Sequence, residues 1–243
     1  LSVLESRAPA LLEPHARYMR NLERADQLNR EVEYLPNDEV VEERLAEGEG
    51  LTRPELSVLL SYAKMELYEK LLESDLANSK GLEPDLVKYF PRPLRRGHKG
   101  AILQHRLRRE IIATITANSI VNRLGITFVH DVMAETGASI EAVARCYSAA
   151  RDLFGMRALW SEIETLDNKV STTVQTGIAL KTAEFLRRMT LWFLQNVEQP
   201  LKINSTVTAF GPGIVSLAEQ LEDVVGALEE KKMSRGVATL VKQ

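Results

Sequence analysis

Four histidines, one cysteine and a scatter of carboxylates are the side chains of this 243-residue sequence that could do chemistry, and their spacing limits what that chemistry can be. A zinc helix of the H-E-x-x-H type needs two imidazoles one turn apart, and none of His15, His98, His105 and His130 has such a neighbour. The di-iron pattern Glu-x-x-His fails as well, because Leu12, Arg95, Ile102 and Thr127 stand three residues before the histidines. His98 and His105 would lie roughly 10 Å apart along a helix rising about 1.5 Å per residue, too far to share a metal unaided. His130 precedes Asp131 and could couple to a carboxylate, although a surface or boundary histidine is the plainer reading. Cys146 stands alone, which permits neither a disulfide framework nor a cysteine metal cluster and suits a reducing cytoplasm. It fits a helix interior as a small apolar residue. No catalytic, cofactor-binding or metal residue is assigned.

Nucleotide chemistry would need glycines after a strand, where the backbone can approach a pyrophosphate. Gly48-Glu49-Gly50 leading to Arg53, and Gly211-Pro212-Gly213 leading to Ser216, come nearest, but both lack a third glycine and a preceding strand. A phosphate loop of the G-x-x-x-x-G-K type and a G-x-S-x-G elbow are missing from the sequence. Met133 to Arg145 has the spacing of a DNA-binding helix-turn-helix, which leaves a DNA-binding regulator as one alternative. Its second helix would offer Ile140, Glu141 and Ala142 where phosphate and base donors are wanted, with only Arg145 and Arg151 basic, so a plain helical hairpin is the expectation. Arg95, Arg96, Lys99, Arg106, Arg108 and Arg109 form a basic stretch, either a solvated face bridged to acidic helices or a contact with an acidic protein surface. Asn118 and Asn122, one turn apart, are expected to position helices rather than hold a ligand.

The elements that must place these residues are helices. Helical periodicity dominates and alternating runs long enough for a sheet are missing, so the expected fold is all-α, a bundle-like domain of about eight to ten helices with no substantial sheet. The spacing predicts helices over about 14–32, 38–48 behind Asn37, and 52–73 behind the capping box Thr52-Arg53-Pro54-Glu55. Pro84, Pro91 and Pro93 make a connector, followed by the longest helix, about 95–124, whose wide apolar surface suggests a central position. Helices over 128–136 behind Thr127 and 140–154 behind Ser139 are closed by Gly137 and Gly155, and a short one covers 156–166. Thr172 to Gln175 opens another to about 196, and Pro212 opens one through 228, with a charged tail after it. The division expected is 1–50 as a connector, 51–198 as the main domain and 199–243 as an extension.

Apolar residues at 44% and charged residues at 27% are the balance of a packed globular protein, and 243 residues can bury a core without staples. A formal charge of −3 gives no bulk attraction for nucleic acid or anionic lipid. No apolar run reaches the roughly 18–20 residues of a membrane span and no basic-then-apolar leader opens the chain, so a soluble, cytoplasmic protein is expected. The ends read as those of a piece of something longer. A free-standing helical interaction protein is the other alternative.

Several stretches together have the wording of a known family. Leu51-Thr-Arg-Pro-Glu-Leu-Ser-Val-Leu-Leu-Ser-Tyr-Ala-Lys64, the core of 102–114, Val121-Asn-Arg-Leu-Gly-Ile-Thr-Phe-Val-His130, Glu135-Thr-Gly-Ala138, Leu159-Trp160 and Asp167-Asn168 resemble the C-terminal region of the very large bacterial NAD-specific glutamate dehydrogenases. The resemblance covers most of residues 33–196 and is looser over 1–32 and 200–243. It implies a parent enzyme that oxidises L-glutamate to 2-oxoglutarate and ammonia with NAD, its lysines, acidic catalytic residue and nucleotide loop lying upstream. It therefore implies a non-catalytic helical segment, with NAD a cofactor of the parent only. The wide apolar helix surface and the basic stretch are expected to dock on the upstream catalytic portion of its own chain or on another subunit of a homo-oligomer.

Overall fold

Residues 2–167 and 169–220 are described by a computed structural model of the chain. Among them are thirteen helices, ten of seven residues or more, and no strand, as expected. In chain order they are α1 (Ser2–Glu5), α2 (Ala8–Arg24), α3 (Asp38–Glu47), α4 (Arg53–Glu73), α5 (Glu83–Tyr89), α6 (Arg92–Gly97), α7 (Lys99–Leu103), α8 (Arg108–Leu124), α9 (Phe128–Thr136), α10 (Ile140–Leu153), α11 (Met156–Thr165), α12 (Thr172–Asn196) and α13 (203–220). Among the described residues no single helix is long and apolar enough to cross a membrane.

The most extensive packing joins α4 to α8 and α10 to α12. Leu56, Leu59, Ala63, Leu67 and Leu71 recur at helical spacing and form the buried stripe of α4, each leucine stabilising the fold by roughly 1.5–3 kcal/mol on leaving water. Ala113 and Ala117 keep the facing side of α8 low, so the two helices approach closely between Ile112, Thr116 and Ile120. Every residue of α10 from Val143 to Arg151 is buried, which makes α10 the central helix. Four of those nine residues are alanine or serine beside Cys146, small enough for neighbours to close in from all sides.

The expected central helix over 95–124 is three pieces instead. Gly97 and Gly100 weaken helix propensity where α6 gives way to α7, and the chain leaves the helix again at Gln104. There the His105 ring nitrogen Nδ1 accepts the Leu107 backbone N–H at 3.1 Å, a bond that replaces a helical one. The expected helix over 14–32 is displaced to α2, where Pro9 occupies the first turn and Pro14 the interior. It stops because Asp26 turns left-handed and Arg30 ties the following turns to Glu23 and Asp38. The helix expected from Pro212 begins at 203, so Pro212 is interior; its expected part beyond 220, and the charged tail, lie outside the described residues.

Caps follow the sequence with two exceptions. Asn37 and Ser139 accept the Val40 and Ala142 backbone N–H groups, Glu55 accepts the Thr52 N–H at 2.7 Å, and Gly137 and Gly155 take the left-handed conformation. Thr127 instead donates its hydroxyl to Asp131, and Ser171 rather than Thr172 caps α12.

Candidate functional site

Three helices bring together the most chemistry-like cluster. Glu66 of α4 accepts the Tyr18 hydroxyl of α2 at 2.7 Å and lies 2.9 Å from His130 Nε2 of α9, while the Tyr18 and His130 rings meet at a tilt of 46° with their centroids 4.8 Å apart. Burial alone would raise the Glu66 pKa, but the His130 and Tyr18 bonds hold it below the usual carboxylate range. Burial and the Glu66 charge push the Tyr18 phenol above its usual range. Such a set could hold a proton, yet the cavity beside it measures only about 10 Å³, room for about one water. It is a strut between helices. The carboxylate coupled to His130 is therefore Glu66 and not the adjacent Asp131, which takes Arg17 at 2.9 Å and the Thr127 hydroxyl at 2.8 Å.

A second cluster lies deeper. Asp85 of α5 meets Arg151 of α10 and Arg157 of α11 at 2.7 Å each, and Asp152 meets the same two at 2.9 and 2.8 Å. Burial alone lowers the Arg151 pKa, and the carboxylates of Asp85 and Asp152 more than offset it. Arg157 moves the other way, lowered by burial and by the Arg151 charge. These bonds decide the helix-turn-helix question, since Arg145 is held by Glu141 at 2.6 Å and Arg151 is 2% exposed. Neither cation of the second helix is free for a phosphate, so α9 and α10 form a hairpin of the core.

The glycine pairs do not fit a nicotinamide dinucleotide. Gly48 closes α3 in the left-handed conformation, and a Cβ at Gly50 would fall 2.2 Å from the Ala8 backbone, so protein occupies the space a pyrophosphate would need. Gly211 and Gly213 are inside α13 with no strand before them. His98, between α6 and α7, is exposed, and His105 is half-buried against Phe90, so the two do not converge. Cys146 is fully buried, its thiol pushed up to about 12 by burial. Asn118 is half-buried and Asn122 exposed.

The basic stretch splits by role. Arg95 and Arg109 hydrogen-bond to the backbone carbonyls of Phe90 and Leu72, and Arg108 pairs with Glu83 at 3.3 Å. Arg92, Arg96, Lys99 and Arg106 are exposed, and so are Tyr89, Leu94 and Leu107 among them. No Asp or Glu occurs between Lys88 and Arg109.

Sequence reasoning passed over His15. It is 1% exposed on α2, its Nδ1 has no hydrogen-bond partner, and burial lowers its pKa to about 4, against a weaker opposing pull from Asp131. It lines a cavity of about 310 Å³ between α2, the end of α8, α11 and α12. Its neighbours Leu12, Ala16 and Met19 are fully buried, a stripe at helical spacing that places His15 on the inward face.

The chain matches the family described as "Glutamate dehydrogenase, C-terminal" over residues 48–243. It is similar to the NAD-specific glutamate dehydrogenase of Halomonas elongata, 38% identical over 94% of this chain and 14% of that protein. The enzymes of the same description from Pseudomonas aeruginosa and Mycobacterium tuberculosis are 38% identical over 93% of this chain and 29% identical over 89% of it. The chain spans 13–14% of the length of these relatives.

Proposed function

We propose that this chain, which belongs to the glutamate dehydrogenase C-terminal family, serves a large NAD-dependent glutamate dehydrogenase as a helical docking module that turns over nothing itself. The parent would convert L-glutamate, NAD and water to 2-oxoglutarate, ammonia and NADH in the cytoplasm, with the substrate and NAD held upstream. The module would dock on that catalytic portion within a homo-oligomer, stabilising the assembly and its domain closure.

The surface made by the end of α5, α6, α7 and the turn before α8 carries this reading. It sets Arg92, Arg96, Lys99 and Arg106 beside exposed Tyr89, Leu94 and Leu107 on a chain of net charge −3. Cations around apolar and aromatic anchors are the composition of a contact with an acidic protein surface. Arg92→Glu, Arg96→Glu and Lys99→Glu combined in the full-length dehydrogenase should lower its oligomeric mass or its turnover while leaving the helical content intact. Unchanged mass and turnover would overturn the assignment.

A further inference from the structure

The cavity beside His15 has the chemistry of a small-ligand site. Most of its lining residues are apolar, Leu11, Leu60, Trp160 and Leu186 among them, and the polar remainder includes Arg7 and Arg123 but no Asp or Glu. Arg123 is committed to Glu164 at 3.0 Å and lies over the Trp160 ring. The buried His15 Nδ1 has no hydrogen-bond partner, and the exposed side chains of Arg7 and Asn122 make no hydrogen bond or ion pair among the described residues. A buried imidazole without a partner is costly to keep, because it has given up water and received nothing in return.

Each uncommitted group suits the same ligand. A neutral imidazole and an amide each present an N–H donor, and the guanidinium supplies charge at the mouth. The apolar walls favour a short hydrocarbon body, and about 310 Å³ is at the small end of ligand pockets, which run roughly 300–1,000 Å³. We infer that this cavity binds a small monocarboxylate with a short apolar body, its carboxylate facing Arg7, Asn122 and His15.

Equilibrium dialysis of the full-length enzyme with carbon-14 hexanoate, beside carbon-14 hexanol, tests this. Wild type should take up one more saturable equivalent of hexanoate per chain than Asn122→Asp, which sets a like charge in an exposed position where folding tolerates it. His15→Leu should lose the same equivalent or weaken it at least ten-fold, and hexanol should bind at least ten-fold more weakly than hexanoate. Equal uptake by wild type and Asn122→Asp, or hexanol binding as well as hexanoate, would overturn the inference. The difference between variants stands whether or not α6 and α7 dock as proposed.

Discussion

The Arg151 guanidinium of α10 meets the Asp85 carboxylate of α5 at 2.7 Å, with the two side chains only 2% and 8% exposed. A charge this deep tolerates its partner's presence far better than its loss. Asp85→Ala should cost about 3–5 kcal/mol in urea unfolding, because Arg151 and Arg157 would then share the single carboxylate of Asp152. Asp85→Leu with Arg151→Met should cost less than Asp85→Ala alone, since no buried charge then remains unpaired. A loss under about 1 kcal/mol in Asp85→Ala would mean that water reaches the site.

Gly50 is fixed by proximity rather than by conformation. A Cβ there would meet the Ala8 carbonyl carbon at 2.2 Å, and this is backbone that cannot rotate away. Gly50→Ala should therefore force α2 from the core, destabilising by about 1–3 kcal/mol or more. Gly100→Ala in α7, where nothing lies within 4 Å, should be neutral or stabilising by up to about 1 kcal/mol. Thermal unfolding of the two variants side by side checks the contrast.

What the sequence disclosed follows from which forces are local. The capping box at Thr52 and Glu55, the Asn37 cap and the glycine stops at 137 and 155 are short-range chemistry and were legible. The leucine stripe of α4 was legible too, because burial leaves its period in the sequence. The central position of α10 was not, since Arg145, Ser148 and Arg151 read as polar, and the carboxylates Asp75 and Asp85 that help neutralise the two arginines lie far off in the chain. The break after α7 depends on one imidazole bond, and the Tyr18–Glu66–His130 cluster on contacts 48 and 64 residues apart. A single sequence carries no trace of such pairings.

Cys146 should be chemically silent in the folded chain. Its thiol is fully buried and pushed up to about 12 by burial, which outweighs the lowering effect of Gln199, so almost no thiolate forms at pH 8. Iodoacetamide at pH 8 should leave Cys146 unmodified for hours and alkylate it within minutes in 6 M guanidinium, as read by peptide mass mapping. Rapid labelling of the folded chain would show that α10 opens locally.

Glu66 should behave as the shared acceptor of one unit. Tyr18→Phe and His130→Ala each remove a bond to an ionised carboxylate, and such bonds contribute about 1.5–3 kcal/mol. Once Glu66 is replaced by Leu, the same two substitutions should cost much less. Full additivity between Glu66→Leu and Tyr18→Phe in urea unfolding would show that the hydroxyl and carboxylate are not energetically coupled.

His15 gives the fold a pH dependence whose sign is fixed by burial. Its pKa falls from an ordinary 6.5 to about 4 on folding, so between those values the unfolded chain takes up a proton that the folded chain refuses. The stabilisation is complete above about pH 6.5, drains away as pH falls and is gone below about pH 4. At about 1.36 kcal/mol per pH unit, the loss across that window is roughly 3 kcal/mol. His15→Gln keeps the size and polarity and cannot titrate, so its unfolding free energy should decline less between pH 7 and pH 4 than that of wild type, by about that amount. Parallel curves for the two proteins would place a proton on His15 in the folded state. A saturating carboxylate in the neighbouring cavity should bring the wild-type curve part of the way toward that of the variant, because an anion beside the imidazole favours its charged form.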